Sequence, residues 1–376
     1  MTVAFWVCVG VIVYTYVGYP LLAWGVSRLR PRPVRGAPIE PRVSLVIAAY
    51  NEERVIREKI ENALALDYPR DRLEVVVVAD GSTDGTVNIA RGFASAGIRV
   101  LHEPGRRGKT AALSRAAAVC TGEILMFSDA NTRYRPDVIR CLVRGFADPA
   151  VGGVSGRKII LEDAARVATR GEVGYWGYES FLKACESRFG SIVTADGEIF
   201  AMRASLFRPM PAEIVHDDMY LTLCLVRDGH RVVYDTDAVS AEHASKTLWD
   251  EFHLKVRYAS AGFQIVARFP ALTLVPTRFF AIQFFSHKVL RWTAPLFLLG
   301  AFVTSGLAPG ALYRMVWWAQ VAFYGAAAVG LAVPAARRFR LLYVPVYFTM
   351  GNLAALVGIV RAALGGQSTK WRRAER

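Results

Sequence analysis

The chain has 376 residues, 53% of them apolar and only 21% charged, with a mean hydropathy of +0.27. That composition excludes a disordered polar chain and a small disulfide scaffold. The net charge of +14 raises nucleic acid as a partner, but much of the excess flanks apolar segments, where Lys and Arg meet anionic headgroups; the expectation is membrane lipid and no nucleic acid. The five cysteines form no CxxC pair and read as small core residues of a reduced compartment.

Residues 1–27 are uncharged and lack a basic start or a small-residue cleavage site, so they predict an uncleaved transmembrane anchor. Arg28, Arg30, Arg32 and Arg35 follow, and the positive-inside bias places the next segment in the cytosol. Residues 41–246 alternate β-branched runs (43–49, 73–78, 98–102, 123–128) with helical patterns, which predicts βαβ units around a buried, largely parallel sheet. Helix starts are expected at Asn51 and Glu52, at Asp84 and at Pro136. In such sheets ligands bind beyond the carboxyl ends of the strands, where Asn51, Asp80 and Asp129 fall.

The turn after 75–80 carries Asp80 and Asp84 among glycines, which suits ribose or base contacts, or simply an Asp-Gly turn. Asp129 and Asn131 close the fourth run, offering oxygen ligands to Mg²⁺ or Mn²⁺, or a helix cap before Pro136. GRRGKT at 105–110 fails the P-loop spacing because Glu103 stands where glycine is required, but Arg106, Arg107 and Lys109 at a helix start suit a diphosphate. TADGEIFAMR at 194–203 reads as a strand with an inserted Asp-Gly, either a bulge or a close approach to a sugar. Asp217 and Asp218 open the next helix beside His216; one acid is explained by capping, and the other is a candidate general base.

Residues 247–291 predict amphipathic interface helices, with Trp249, Phe252, Val256, Ala259, Phe263 and Val266 on one stripe and an apolar run at 279–285 ahead of His287, Lys288 and Arg291. Residues 292–364 hold three further spans and 365–376 a basic tail. Four crossings leave that tail on the far side. Either the last segment, interrupted by Pro345 and Gly351, re-enters without crossing, or the charge bias is overridden.

In this order the motifs resemble a membrane-integrated family 2 glycosyltransferase of the GT-A fold, the group of hyaluronan, chitin-oligosaccharide, poly-N-acetylglucosamine and cellulose synthases. The resemblance runs from Arg42 to the C-terminus. It implies a GT-A (Rossmann-like) α/β cytosolic domain between N- and C-terminal transmembrane helices, at the plasma or inner membrane. It also implies nucleotide binding by Ala49, Asn51, Glu52, Asp80, Lys109 and Arg257, and a Mg²⁺ or Mn²⁺ cofactor on Asp129 and Asn131. The sugars lie against Asp196, Gly197 and Tyr258, and catalysis falls to Asp217 and Asp218 with Asp218 as base. The DxD motif is Asp129-Ala130-Asn131, so an amide replaces its second carboxylate. QxxRW is Leu254 to Tyr258 and keeps only Arg257, and the later Arg291-Trp292 pair reads as an interface anchor. The implied reaction is inverting transfer from a nucleotide sugar, a UDP-sugar first, to a glycan or lipid hydroxyl in polysaccharide or glycolipid synthesis. The alternatives are single-sugar transfer to a polyprenyl phosphate, diacylglycerol or sphingoid acceptor, and a non-catalytic membrane scaffold.

Overall fold

Thr2–Leu29 form one helix, α1, in the computed structural model of the chain, which describes residues 1–161, 167–273 and 279–365. Many of its apolar residues are exposed, but Phe5 is buried beside Tyr313, and Tyr19 and Ala23 pack on Leu182 and Cys185. β1 (Val43–Ala49) and β2 (Leu73–Asp80) pair in parallel and, apart from their edges, are wholly buried, which is why their sequences are continuous apolar runs. Between them α2 (Ile56–Leu64) sets Ile56, Ile60 and Ala63 on the sheet. The chain does not become helical at Asn51 as anticipated. Asn51 holds a left-handed φ of 55° and accepts from Thr83 N at 2.8 Å, a turn conformation that competes with helix.

α3 (Thr86–Arg91), β3 (Ile98–Glu103), α4 (Lys109–Ala117) and β4 (Ile124–Asp129) complete the parallel half. A two-residue strand, β5 (Arg133–Tyr134), then precedes α5 (Val138–Arg144) and the long β6 (Val151–Leu161). After α6 (Val167–Phe189) come β7 (Phe200–Arg203), α7 (Asp217–Arg227) and β8 (Arg231–His243), and the sheet order is β3-β2-β1-β4-β7-β6-β8-β5. β7 runs antiparallel between β4 and β6, so the parallel order is interrupted beside Asp129. The strand expected over 194–203 is limited to its last four residues; 194–199 form a loop on the sheet edge, with Asp196 N bonded to Ser155 Oγ.

α8 (Leu248–Arg268) carries the anticipated stripe, but that face is covered by protein rather than by lipid. Phe252 and Val256 pack on Val346, Met350 and Ala354, while Trp249 is 62% exposed. The membrane part holds α9 (Phe279–Leu307), α10 (Ala311–Ala332) and α11 (Arg340–Ala363). With α1 these are, among the described residues, four helices long and apolar enough to cross a bilayer.

Two expectations change here. The run at 279–285 is no separate interface helix but the start of α9, because the cations that seemed to mark a membrane edge are paired inside the protein. Glu179 accepts from Lys288 at 2.9 Å and from Arg291, and Glu186 lies 2.7 Å from His287 Nδ1. Trp292 likewise packs against α8 at Gly262, where an added Cβ would fall 2.3 Å from its ring, so the pair is no headgroup anchor. Second, α11 runs through Pro345 and Gly351 without a break. The basic residues 370–376 lie outside the described residues.

Candidate active site

The ends of β1, β2 and β4 open on a cavity of about 220 Å³, closed on its other side by the start of α7 and by α8. Asp80 ends β2 with both oxygens committed: they accept from Arg107 N at 3.1 Å, Gly108 N at 2.6 Å and Arg115 Nη2 at 3.2 Å. Its carboxylate therefore holds the basic loop 105–108 against the sheet. Gly81, at φ +70°, is required there, since a Cβ would meet Arg106 N at 2.6 Å. Arg106 is carried over the Tyr50 ring at 3.9 Å, a cation beside the cavity mouth.

Lys109 is the first residue of α4, and its ammonium lies 2.8 Å from Asp129 Oδ1 and 3.4 Å from Asp217 Oδ2. Burial works against its charge, but the two carboxylates outweigh it and raise the lysine above its usual range. The acids at the start of α7 differ in environment. Burial raises Asp217, opposed by Lys109 and reinforced by Asp218. Burial would raise Asp218 too, but His216 at 2.6 Å, Lys109 and the Met219 N–H at 2.7 Å hold it well below the usual carboxylate range. Its second oxygen accepts from Gly197 N at 3.1 Å. Asp218 is thus an ionised, fixed carboxylate at a helix N-terminus, where the backbone dipole adds to the same preference.

Ala49, Glu52, Asp80, Lys109, Asp129, Asn131, Gly197, Asp217, Asp218, Arg257 and Tyr258 all line this cavity. Asn51 and Asp196 do not. Asn51 ties the β1 loop to the 82–83 turn, and Asp196 is buried against Lys183 at 2.5 Å. The Asn131 amide lies 3.4 Å from Glu242. Among the described residues no three His, Cys, Asp or Glu side chains converge as a metal cage. The Asp129 carboxylate, part-exposed on the cavity wall, nevertheless fits a Mg²⁺ or Mn²⁺ ion of the kind that bridges one carboxylate to a diphosphate.

The lining also includes Lys158, Glu198 and His216. Lys158 escaped the sequence reading because no strand was expected over 151–161, and Glu198 because the Asp-Gly at 196–197 beside it is the more conspicuous signal. The available clue was parity, since in β6 Arg157 is exposed and Lys158 is buried.

Residues 44–209 match the family described as Glycosyl transferase family 2. A β-monoglucosyldiacylglycerol synthase of Synechocystis is 29% identical over 241 residues, which are 60% of this chain and 48% of that protein. An N-acetylglucosaminyltransferase of Sinorhizobium fredii is 26% identical over 354 residues, 88% of this chain and 83% of that one. In structure, the chain resembles a mannosyltransferase from Pyrobaculum calidifontis solved with GDP-Man and Mn²⁺. The TM-score is 0.75 at 24% identity over 97% of this chain and 100% of the other, a likeness of fold.

Proposed function

We propose, on the premise that residues 44–209 are a glycosyltransferase family 2 domain, that the chain is an inverting membrane glycosyltransferase using a nucleotide sugar, UDP-linked first, at the cytosolic face. The observation that carries this reading is Lys109, set between Asp129 and Asp217 at the start of a helix, with Asp218 fixed across the same cavity. The diphosphate of the donor fits against Lys109, Arg106 and Arg257, and Asp129 with the Asn131 turn is the place for Mg²⁺ or Mn²⁺. When bound, that ion supplies Lewis-acid neutralisation of charge on the leaving diphosphate.

Lys109 exchanges its carboxylate partners for the phosphate oxygens, a preorganised cation where negative charge develops. Asp218 accepts the proton of the acceptor hydroxyl as that oxygen bonds to the anomeric carbon and the carbon–oxygen bond to the diphosphate breaks, inverting the configuration. His216, 2.6 Å away, stays in place to hold the carboxylate's orientation. Residues 41–246 thus carry the transfer, between the anchor at 1–27 and the C-terminal spans.

The acceptor is a growing glycan or a lipid. Single transfer to a lipid is favoured by one feature: α8, which forms the cavity wall with Leu254, Arg257, Tyr258 and Ala261, rests directly on α11 and on Trp292 of α9. The test is nucleoside diphosphate release by the purified full chain from UDP- and GDP-sugars, with Mg²⁺, Mn²⁺ or EDTA, with and without membrane extract. Metal-dependent release from one donor is expected; no release from any donor even with extract refutes the reading.

A further inference from the structure

Glu198 is a carboxylate that the reaction above does not use. It lines the cavity yet is 7% exposed, and its Oε1 accepts no hydrogen bond; the nearest charge is Lys158 Nζ at 3.4 Å. Lys158 is itself 5% exposed, also ion-paired to Glu242, and lies 4.3 Å over the Trp176 ring. Burial is the main cause that pushes the Glu198 carboxyl up to about 7, against Lys158. Glu198 shares the Lys158 ammonium with Glu242, so its buried carboxylate is incompletely satisfied, a cost that a ligand hydroxyl offsets.

Its place in the fold says which part of the ligand. The antiparallel β4–β7 ladder ends at Phe127 opposite Phe200, two residues short of Asp129 on one side and of Glu198 on the other, and both of those side chains line the cavity. Gly197, next in the chain, donates to Asp218. Glu198 therefore stands between the diphosphate end of the cavity and the proton acceptor, and Tyr134 Oη fixes it there by donating to its carbonyl. The group that lies between a leaving diphosphate and the base is the transferred sugar.

We propose that Glu198, steadied by Lys158, accepts a hydrogen bond from a hydroxyl of the transferred sugar and selects a neutral hexose or N-acetylhexosamine against a hexuronate. This rests on the transferase reading above. In its ionised form the Glu198 carboxylate gains a charge-assisted bond from a hydroxyl and repels a second carboxylate, so attraction and exclusion come from one side chain.

The test compares the full chain with Glu198→Gln and Glu198→Ala. Nucleoside diphosphate release is measured from UDP-glucose, UDP-N-acetylglucosamine, GDP-mannose and UDP-glucuronate, and calorimetric binding of UDP and GDP alone serves as the control for folding. The expected result is nucleotide binding within about threefold of the parent in both variants. Neutral-donor kcat/KM is expected to fall roughly 10- to 100-fold in Glu198→Ala, the worth of a hydrogen bond to a charged group. In Glu198→Gln the ratio of glucuronate to neutral-donor turnover should rise at least about tenfold over the parent, from the same range. A parent that prefers UDP-glucuronate, or variants that keep neutral-donor turnover within threefold with an unchanged ratio, overturns the assignment of Glu198 alone. A parent silent on every donor with membrane extract present overturns the transferase reading and this one with it.

Discussion

Replacing Lys109 by Met removes an ammonium that touches both Asp129 and Asp217, at 2.8 and 3.4 Å, while leaving the volume of the side chain nearly unchanged. Each contact is worth roughly 4 kcal/mol at an effective dielectric of 20 and 4 Å separation, before desolvation is subtracted. Removing the ammonium costs about 1–3 kcal/mol net, less than for a fully buried pair, because Asp217 stays buried without it while Asp129 is about a third exposed to solvent. The ligand-free variant should unfold at a temperature several degrees lower than the parent.

The two acids freed of their ammonium should then take a divalent cation more readily. Millimolar Mn²⁺ is expected to raise the unfolding temperature of the variant by more than it raises that of the parent, and turnover should fall by about 100-fold or more, as when a preorganised charge donor is lost. Differential scanning fluorimetry in detergent with Mn²⁺ or EDTA, beside the diphosphate-release assay, measures both. An unchanged unfolding temperature, or equal metal shifts in both proteins, would show that Lys109 is not the charge that balances this site.

Asp218→Asn keeps an acceptor for His216 and Met219 but presents an amide to Gly197 N, so stability should drop by about 1–3 kcal/mol while turnover falls about 100- to 10,000-fold; retained turnover would move the base elsewhere. Glu198, raised to about 7 from 4.5, stabilises the fold fully below its unfolded pKa, and that contribution is lost as pH rises through the folded value. Stability should decline between pH 4.5 and 7 by an amount of order 3 kcal/mol that Glu198→Gln removes, and parallel melting curves against pH for the two proteins would refute it. Gly358→Leu should separate α11 from α8, since even a Cβ there falls 2.6 Å from Ala259 Cβ; the expected cost is about 1–3 kcal/mol in thermal unfolding, with reduced turnover because α8 forms the cavity wall.

Much of the site was legible before any fold was known. Asp80, Lys109, Asp129, Asp217 and Asp218 announce themselves as acids and a base punctuating strand ends and helix starts, and all five reach one cavity. The roles are less legible than the positions. Asp80 looks free for ribose in the sequence, but its oxygens are taken by the 107–108 backbone and Arg115, partners about 30 residues away. His287, Lys288 and Arg291 look like a membrane edge until Glu179 and Glu186, a hundred residues earlier in the chain, are brought against them.

By itself the sequence determined the parallel strands, the cavity edge at their carboxyl ends and the apolar segments at either terminus. Each depends on patterns within ten or twenty residues: continuous apolar runs for strands buried on both faces, and uncharged stretches of bilayer length. The tertiary structure alone decided that α8 is roofed by α11, that the apolar run at 279–285 continues as one helix to Leu307, and that Glu198 lines the cavity beside Asp129 with its carboxylate 3.4 Å from Lys158. Those outcomes depend on the charge or surface that a distant segment places opposite, and a local pattern carries no record of what will face it.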